Sequence, residues 1–148
     1  MKRGFSMKAT RLLSALFVLL PALAWSAPTH SIWSTQGYVL QVPGVFAYVP
    51  SAKMSFNWKE GTSLAFVNAE AEGPAGEIYA FQLVSVTAPT TADEIKGLWN
   101  ISKNGAPLCT GCAGSAYGLS QPLNSYFKIY AGNSSYHISG FISNRYDY

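Results

Sequence analysis

Charged side chains are scarce in this sequence, and so are the residues that build metal and redox sites. Aspartate, glutamate, lysine and arginine make up 11% of the 148 residues, whereas about a quarter is typical of soluble domains. Only two histidines and two cysteines are present, so the sequence contains few side chains that could bind a metal ion. The hydrophobic fraction of 49% is ordinary, which excludes a chain that is disordered throughout.

The hydrophobic run near the N-terminus is too short for a comfortable transmembrane helix, which needs about 20 apolar residues. It covers residues 12–24, follows basic residues at positions 2, 3, 8 and 11, and ends in Ala22-Leu23-Ala24. This pattern predicts a secretory signal peptide over residues 1–24, cleaved after residue 24 or 26, with Met1 or Met7 as its start. An uncleaved anchor is the alternative. We therefore expect a periplasmic or secreted protein with one globular β-rich domain, residues 25–148.

The formal charge of +3 depends on that N-terminal segment. Without it, six lysines and arginines remain against seven acidic residues. Nucleic-acid binding needs a basic patch or stripe, and the remaining bases are scattered along the chain. We therefore expect no nucleic-acid partner, and no membrane insertion once the signal peptide has been removed.

Alternation of apolar and polar residues dominates the rest of the chain. Residues 53–59 alternate strictly, which indicates a half-buried strand. Residues 125–131 and 135–142 flank a Gly-Asn-Ser turn and predict a C-terminal β-hairpin. The expected fold class is α+β, with a mostly antiparallel β-sheet that is sandwich- or barrel-like and one short packed helix near residues 91–103.

The expected helix depends on a capping box. Thr91 takes the N-cap position and Glu94 the N3 position, so each side chain can bond a backbone N–H that has no intrahelical partner. Ile95, Leu98 and Trp99 follow at helical spacing. An Asn-Gly pair after residue 103 supplies the stop.

Both cysteines lie in residues 107–124, a stretch rich in Gly, Ser and Ala that we expect to be an irregular loop. A lone cysteine pair in an exported protein predicts a disulfide, here between Cys109 and Cys112. A redox dithiol is the alternative. It requires a helix N-terminus to stabilise the thiolate, and the residues after Cys112 are poor helix formers.

No metal site, cofactor or catalytic residue is predicted. His30 lies near the start of the mature chain and His137 lies in a predicted strand, and the cysteines are not at a ligand spacing from either. Ser125 and Lys128 match the S-x-x-K hydrolase motif, but its partner motifs are absent and no G-x-S-x-G sequence occurs.

Tyrosines crowd the last third of the chain among Ser, Asn and Gly, a composition typical of recognition surfaces. Strand alternation places Tyr126, Lys128 and Tyr130 on one face of their strand. Phe127 and Ile129 lie on the other face. An equally good interpretation is that the tyrosines only stabilise the hairpin through cross-strand pairs. The candidate recognition surface consists of Tyr117, Tyr126, Lys128, Tyr130, Tyr136 and Tyr146.

These observations favour a small exported, non-catalytic binding protein. Its partner is either another envelope or secreted protein, as for an inhibitor or an immunity-type protein, or a glycan. The first alternative is a small secreted hydrolase that uses His137, which requires a pocket joining His137 to an acidic group and a hydroxyl. The second is a structural surface or assembly subunit, which requires an exposed, unpaired sheet edge.

Overall fold

The computed structural model describes residues 27–34, 38–49 and 52–148. The predicted signal peptide, residues 1–24, lies outside the described residues. Within the described ranges there is no helix, and hence none that is long and apolar enough to cross a membrane. The strands are β1 (Thr29–Ser34), β2 (Tyr38–Val42), β3 (Val45–Val49), β4 (Ala52–Lys59), β5 (Ala65–Glu72), β6 (Ile78–Val86), β7 (Glu94–Lys103), β8 (Ala106–Tyr117), β9 (Tyr126–Ala131), β10 (Tyr136–Phe141) and β11 (Asn144–Asp147).

These eleven strands form one antiparallel sheet in the order β11-β1-β4-β5-β6-β7-β8-β9-β10-β2-β3. The sheet curls around its apolar face into a half-barrel. β10 and β11 are separated by only two residues, yet β10 pairs with β2 and β11 pairs with β1. β2 and β1 stand near opposite ends of the sheet order, so the short connection between β10 and β11 brings these two parts of the sheet close together.

Large apolar side chains fill the inner face of the half-barrel. The bulkiest fully buried residues are Trp58, Trp99, Tyr79, Phe56, Phe81 and Phe127. The rings of Phe56 and Phe127 meet edge to face with their centroids 4.7 Å apart, so β4 and β9 touch across the interior. Because the chain's own side chains occupy the inside, candidate sites lie on the outer face and at the rims.

The strands with the clearest alternation are confirmed. β4 buries Met54, Phe56 and Trp58, as the period of two predicts. β9 and β10 form the expected hairpin, with Ile129 opposite Ile138. The β-rich, antiparallel part of the sequence-based expectation therefore holds.

The helix predicted near residues 91–103 is wrong, and so is the α+β class that included it. This segment is β7, which pairs with β6 on one side and β8 on the other. Thr91 Oγ1 does accept a hydrogen bond from the Glu94 backbone N–H at 3.0 Å, but the chain then becomes extended. The capping chemistry of Thr91 is local, and it makes a turn without committing the following residues to a helix.

Tertiary pairing decides the conformation of β7. Ile95 and Trp99 are four residues apart, a spacing that fits both helix and strand, and Gly97 and Ile101 complete a buried row with a period of two. A Cβ atom on Gly97 would clash with the Leu83 side chain and the Ser85 carbonyl oxygen. The hydrogen-bonded pairing along both edges of β7 and the close packing at Gly97 outweigh the weak helical propensity of this segment.

The irregular loop expected over residues 107–124 is largely a strand, β8 (Ala106–Tyr117). The predicted disulfide between Cys109 and Cys112 is present, with Cα atoms 6.0 Å apart. Cys112 lies opposite Trp99 and Cys109 opposite Ile101, so three steps along β8 face two steps along β7. The disulfide therefore closes a β-bulge inside a strand instead of pinning a loop.

Candidate functional site

Four of the predicted recognition residues come together on the outer face of β8 and β9. Tyr117 is the last residue of β8, and Tyr126, Lys128 and Tyr130 alternate along β9 with residues that are fully buried. The burial of alternate β9 residues in the core forces the other three side chains outward. With His137 of β10, whose ring stacks on Tyr130, they form a surface that we name the tyrosine face.

The structure places the other two predicted residues elsewhere. Tyr136 lies opposite buried Ala131 and packs against the core, and its hydroxyl donates to the Leu108 carbonyl oxygen at 3.1 Å. Tyr146 is exposed on β11, where its ring centroid lies 6.3 Å from that of Trp33. Neither of these tyrosines belongs to the tyrosine face.

Strand register holds the rings of the tyrosine face together. Tyr117 lies opposite Lys128, and Tyr130 lies opposite His137. The rings of Tyr117 and Tyr130 meet edge to face with centroids 6.1 Å apart. Those of Tyr130 and His137 stack at 4.5 Å with an angle of 14° between their planes. Backbone pairing across three strands thus fixes three aromatic rings side by side.

His137 contributes an aromatic ring to this cluster rather than a charge. Burial, followed by the positive charge of Lys128, lowers the pKa of His137 below its ordinary value of 6.5. The ring is therefore neutral at pH 7. Its buried Nε2 atom has no hydrogen-bond partner among the described residues. Among the described residues, neither an acidic group nor a hydroxyl forms a hydrogen bond with this Nε2 atom.

An open groove of about 460 Å³ lies beside Tyr117 and Tyr130. Its other polar lining groups come from Thr87, Lys96, Ser115, Asn133 and Ser134. The lining combines flat ring surfaces with hydroxyl, amide and ammonium groups, which suits a ligand that presents both apolar faces and hydrogen-bonding groups.

Two exposed aromatic residues continue the tyrosine face toward the end of the sheet. His137 lies opposite Gln41 of β2, and Gln41 lies opposite Phe46 of β3. Phe46 is 74% exposed and Tyr48, two residues further along β3, is 66% exposed. Sequence analysis missed both of them. The available signal was the apolar run of residues 45–49 between two prolines, which is too short to show which side chains face outward.

A second polar cluster ties together distant parts of the chain. His30 Nδ1 lies 2.7 Å from Asp147 Oδ1, and His30 Nε2 lies 2.9 Å from Glu60 Oε2. His30 is 6% exposed, and its ring centroid is 5.0 Å from that of Trp58. We name these three polar residues the His30 clasp. Sequence analysis missed it because the partners are 30 and 117 positions away from His30.

The His30 clasp is organised for holding rather than for reaction. A neutral imidazole has one N–H, so the ring donates to both carboxylates only when it is protonated. Burial raises the pKa of Asp147, but hydrogen bonds from His30 and Arg145, with their charges, bring it below its ordinary value of 3.8. Both ring nitrogens are engaged, which leaves neither free as a base. No group of three His, Cys, Asp or Glu side chains in the described ranges is placed to hold a metal ion.

Comparison with known proteins gives no relative from which a function could be transferred. No protein-family model, no curated protein and no solved structure matches the chain.

Proposed function

We propose that this chain is a small exported protein that binds a partner through the tyrosine face and performs no catalysis. The partner is another envelope or secreted protein, as for an inhibitor or an immunity-type protein, or a glycan. Export rests on the sequence of residues 1–24, and the binding role rests on the geometry of β8, β9 and β10.

The observation that carries the proposal is the cluster of Tyr117, Tyr130 and His137 beside an open groove. Tyrosine presents a large amphipathic surface with only two side-chain torsions, so ordering it on binding costs little conformational entropy. Here the rings already contact one another at 6.1 and 4.5 Å. A prearranged aromatic surface reduces the cost of binding further.

The charges of the region support recognition by contact rather than by long-range attraction. Lys128 lies within the tyrosine face. Lys96 lies at the groove, where its Nζ atom is 3.7 Å from Glu94 Oε2. Lys128 has no ion-pair partner in the part of the chain that the structure describes, and a single lysine next to several rings gives weak electrostatic steering. We therefore expect partner binding to depend little on salt and strongly on the rings.

The proposal is tested by capture with matched variants. The chain is immobilised and exposed to an envelope and secreted-protein extract of the producing cell and, separately, to a glycan array. The same is done with the double variant Tyr117→Ser/Tyr130→Ser. Phe66→Ser serves as the control, because Phe66 is an aromatic residue of β5 that is 53% exposed and lies four strands from β9 in the sheet order.

We expect one protein or one glycan class to be retained by the unchanged chain and by Phe66→Ser, and to be lost by the double variant. Circular dichroism shows whether each variant keeps its strand content. An empty capture together with a blank array contradicts the proposal, and so does retention of the same partner by a folded double variant.

A further inference from the structure

Among the residues that the structure describes, the strand β3 (Val45–Val49) has one edge without a partner. It is the terminal strand of the sheet order and pairs only with β2 among the described residues. A free edge exposes backbone N–H and C=O groups that pair readily with another strand. Proteins commonly protect such edges with charges or proline, yet residues 45–49 read Val-Phe-Ala-Tyr-Val, without either.

The geometry of the β2–β3 hairpin fixes which backbone N–H and C=O groups of β3 point to its free edge. β2 and β3 are joined by the two-residue turn Pro43-Gly44, with Val42 opposite Val45. A two-residue turn makes its closing residues a hydrogen-bonded pair, and in an antiparallel ladder the bonding direction alternates from residue to residue. The backbone groups of Ala47 therefore face β2. Those of Phe46 and Tyr48 point to the free edge.

The sequence of β3 is nearly the same read in either direction around Ala47. If two copies of β3 pair antiparallel with Ala47 on the two-fold axis, Phe46 of each copy lies opposite Tyr48 of the other. Both residues have their backbone groups on the free edge, so each pair exchanges two hydrogen bonds. Their side chains lie on the same outer face, where cross-strand aromatic pairs stabilise a sheet.

We propose that two copies of this chain associate edge to edge through β3, in the antiparallel register centred on Ala47. A second copy fits better than an unrelated strand because the edge is complementary to itself. Phe46 meets Tyr48 on the outer face, Ala47 meets Ala47 on the other face, and residues 45–49 carry no charge. Pro43 and Pro50 limit the pairing to five residues.

The short contact sets the strength of the dimer. Five residues per copy bury less surface than the roughly 1,200–2,000 Å² of a stable interface. The association is therefore weak and concentration-dependent. Association through β3 does not require the binding role proposed for the tyrosine face. Because Phe46 continues the row of Tyr130 and His137, pairing through β3 would join two tyrosine faces into one outer surface.

The register is tested by charge exchange. Phe46→Lys/Tyr48→Lys places lysine opposite lysine twice in the dimer, and Phe46→Glu/Tyr48→Glu does the same with glutamate. Each substituted residue is exposed on the outer face, so folding is preserved. Sedimentation equilibrium is recorded from about 1 to 300 micromolar on the chain in the form that the producing cell leaves, with its N-terminus read by mass spectrometry.

We expect the unchanged chain to show a monomer–dimer equilibrium and each double variant to weaken it at least about tenfold. Mixing the two variants should restore the dimer as a heterodimer, because every lysine then faces a glutamate. Phe66→Lys, which alters an exposed ring far from β3, should leave the equilibrium unchanged. A chain that is monomeric at all concentrations overturns the proposal, as does a dimer that the double variants do not weaken or that their mixture fails to restore.

A covalent test measures the register independently. Ala47 lies at a non-hydrogen-bonded position of the proposed pair, where Cα atoms are about 4.5 Å apart, within the range that a disulfide spans. Ala47→Cys should therefore cross-link two copies under mild oxidation. Phe46→Cys should not, because its two copies are displaced diagonally. Cross-linking by Phe46→Cys and not by Ala47→Cys contradicts the register.

Discussion

At the scale of single residues, the face of the sheet decides what a tyrosine does. Tyr130 and Tyr136 lie on neighbouring strands in the same tyrosine-rich part of the sequence. Tyr130 nevertheless joins an outer aromatic cluster, while Tyr136 packs on the core. Strand parity within β9 could be predicted from its alternating apolar residues. The face on which Tyr136 lies could not be predicted, because the register between β9 and β10 depends on the length and backbone geometry of the turn that joins them.

His137 gives this scale a pH-dependent prediction. Its pKa is lowered by burial and by Lys128, so the unfolded chain binds a proton at higher pH than the folded chain. The stability that depends on neutral His137 is therefore complete above pH 6.5 and is lost as the pH falls toward the folded-state pKa. His137→Gln should remove this part of the pH dependence.

The measurement is urea unfolding of the unchanged chain and of His137→Gln between pH 4.5 and 8. The difference in the free energy of unfolding should be constant above pH 7 and should move against the unchanged chain below pH 6.5. Because the two proteins differ only at position 137, pH effects from the rest of the chain cancel in the difference. A difference that stays flat through pH 5 would show that His137 is not held neutral by its surroundings.

At the scale of elements, strict alternation was a reliable guide and local capping chemistry was not. β4, β9 and β10 could be predicted from sequence because every second residue enters the core. β7 could not, since Ile95 and Trp99 satisfy two periods at once, and its conformation is decided by hydrogen bonds to two other strands, β6 and β8. β8 could not be predicted because its proline, two glycines and serine are residues typical of loops.

Gly97→Ala distinguishes the strand from the helix by the sign of its effect. In a helix this change would stabilise the protein by about 0.8–1.0 kcal/mol. In β7 the added Cβ meets the Leu83 side chain and the Ser85 carbonyl oxygen, so we expect a loss of about 1–3 kcal/mol. The measurement is the urea midpoint, with Gly105→Ala as a control that has open space around its Cβ and suffers only its positive φ of 79°. A stabilised Gly97→Ala variant would contradict the strand.

At the scale of the whole molecule, the fold depends on contacts between residues far apart in sequence. The His30 clasp connects β1, the turn after β4 and β11. Sequence analysis had no access to it, because neither carboxylate stands at a motif spacing from His30. The same holds for the tyrosine face. The tyrosine-rich composition pointed to its members, but their grouping with His137 could be seen only from the register of three strands.

His30→Phe tests how much the clasp contributes. The substitution fills the buried site with a ring of similar shape and removes both hydrogen bonds, while Glu60 and Asp147 remain solvated at 37% and 50% side-chain exposure. We expect a loss of about 1–3 kcal/mol in the free energy of unfolding. Asp93→Asn, which alters an exposed hydrogen bond to Ser120, should cost less than about 0.5 kcal/mol. Equal losses in thermal unfolding would argue against a clasp.

The proposal that the tyrosine face is the binding surface is tested most directly by calorimetric titration of the captured partner into Tyr117→Ser, Phe66→Ser and the unchanged chain. If Tyr117 is part of a prearranged aromatic anchor, its loss should raise the dissociation constant at least about tenfold. The Phe66 control should change it less than about twofold. Equal affinities for all three proteins, with each variant folded, would contradict the tyrosine face as the site of binding.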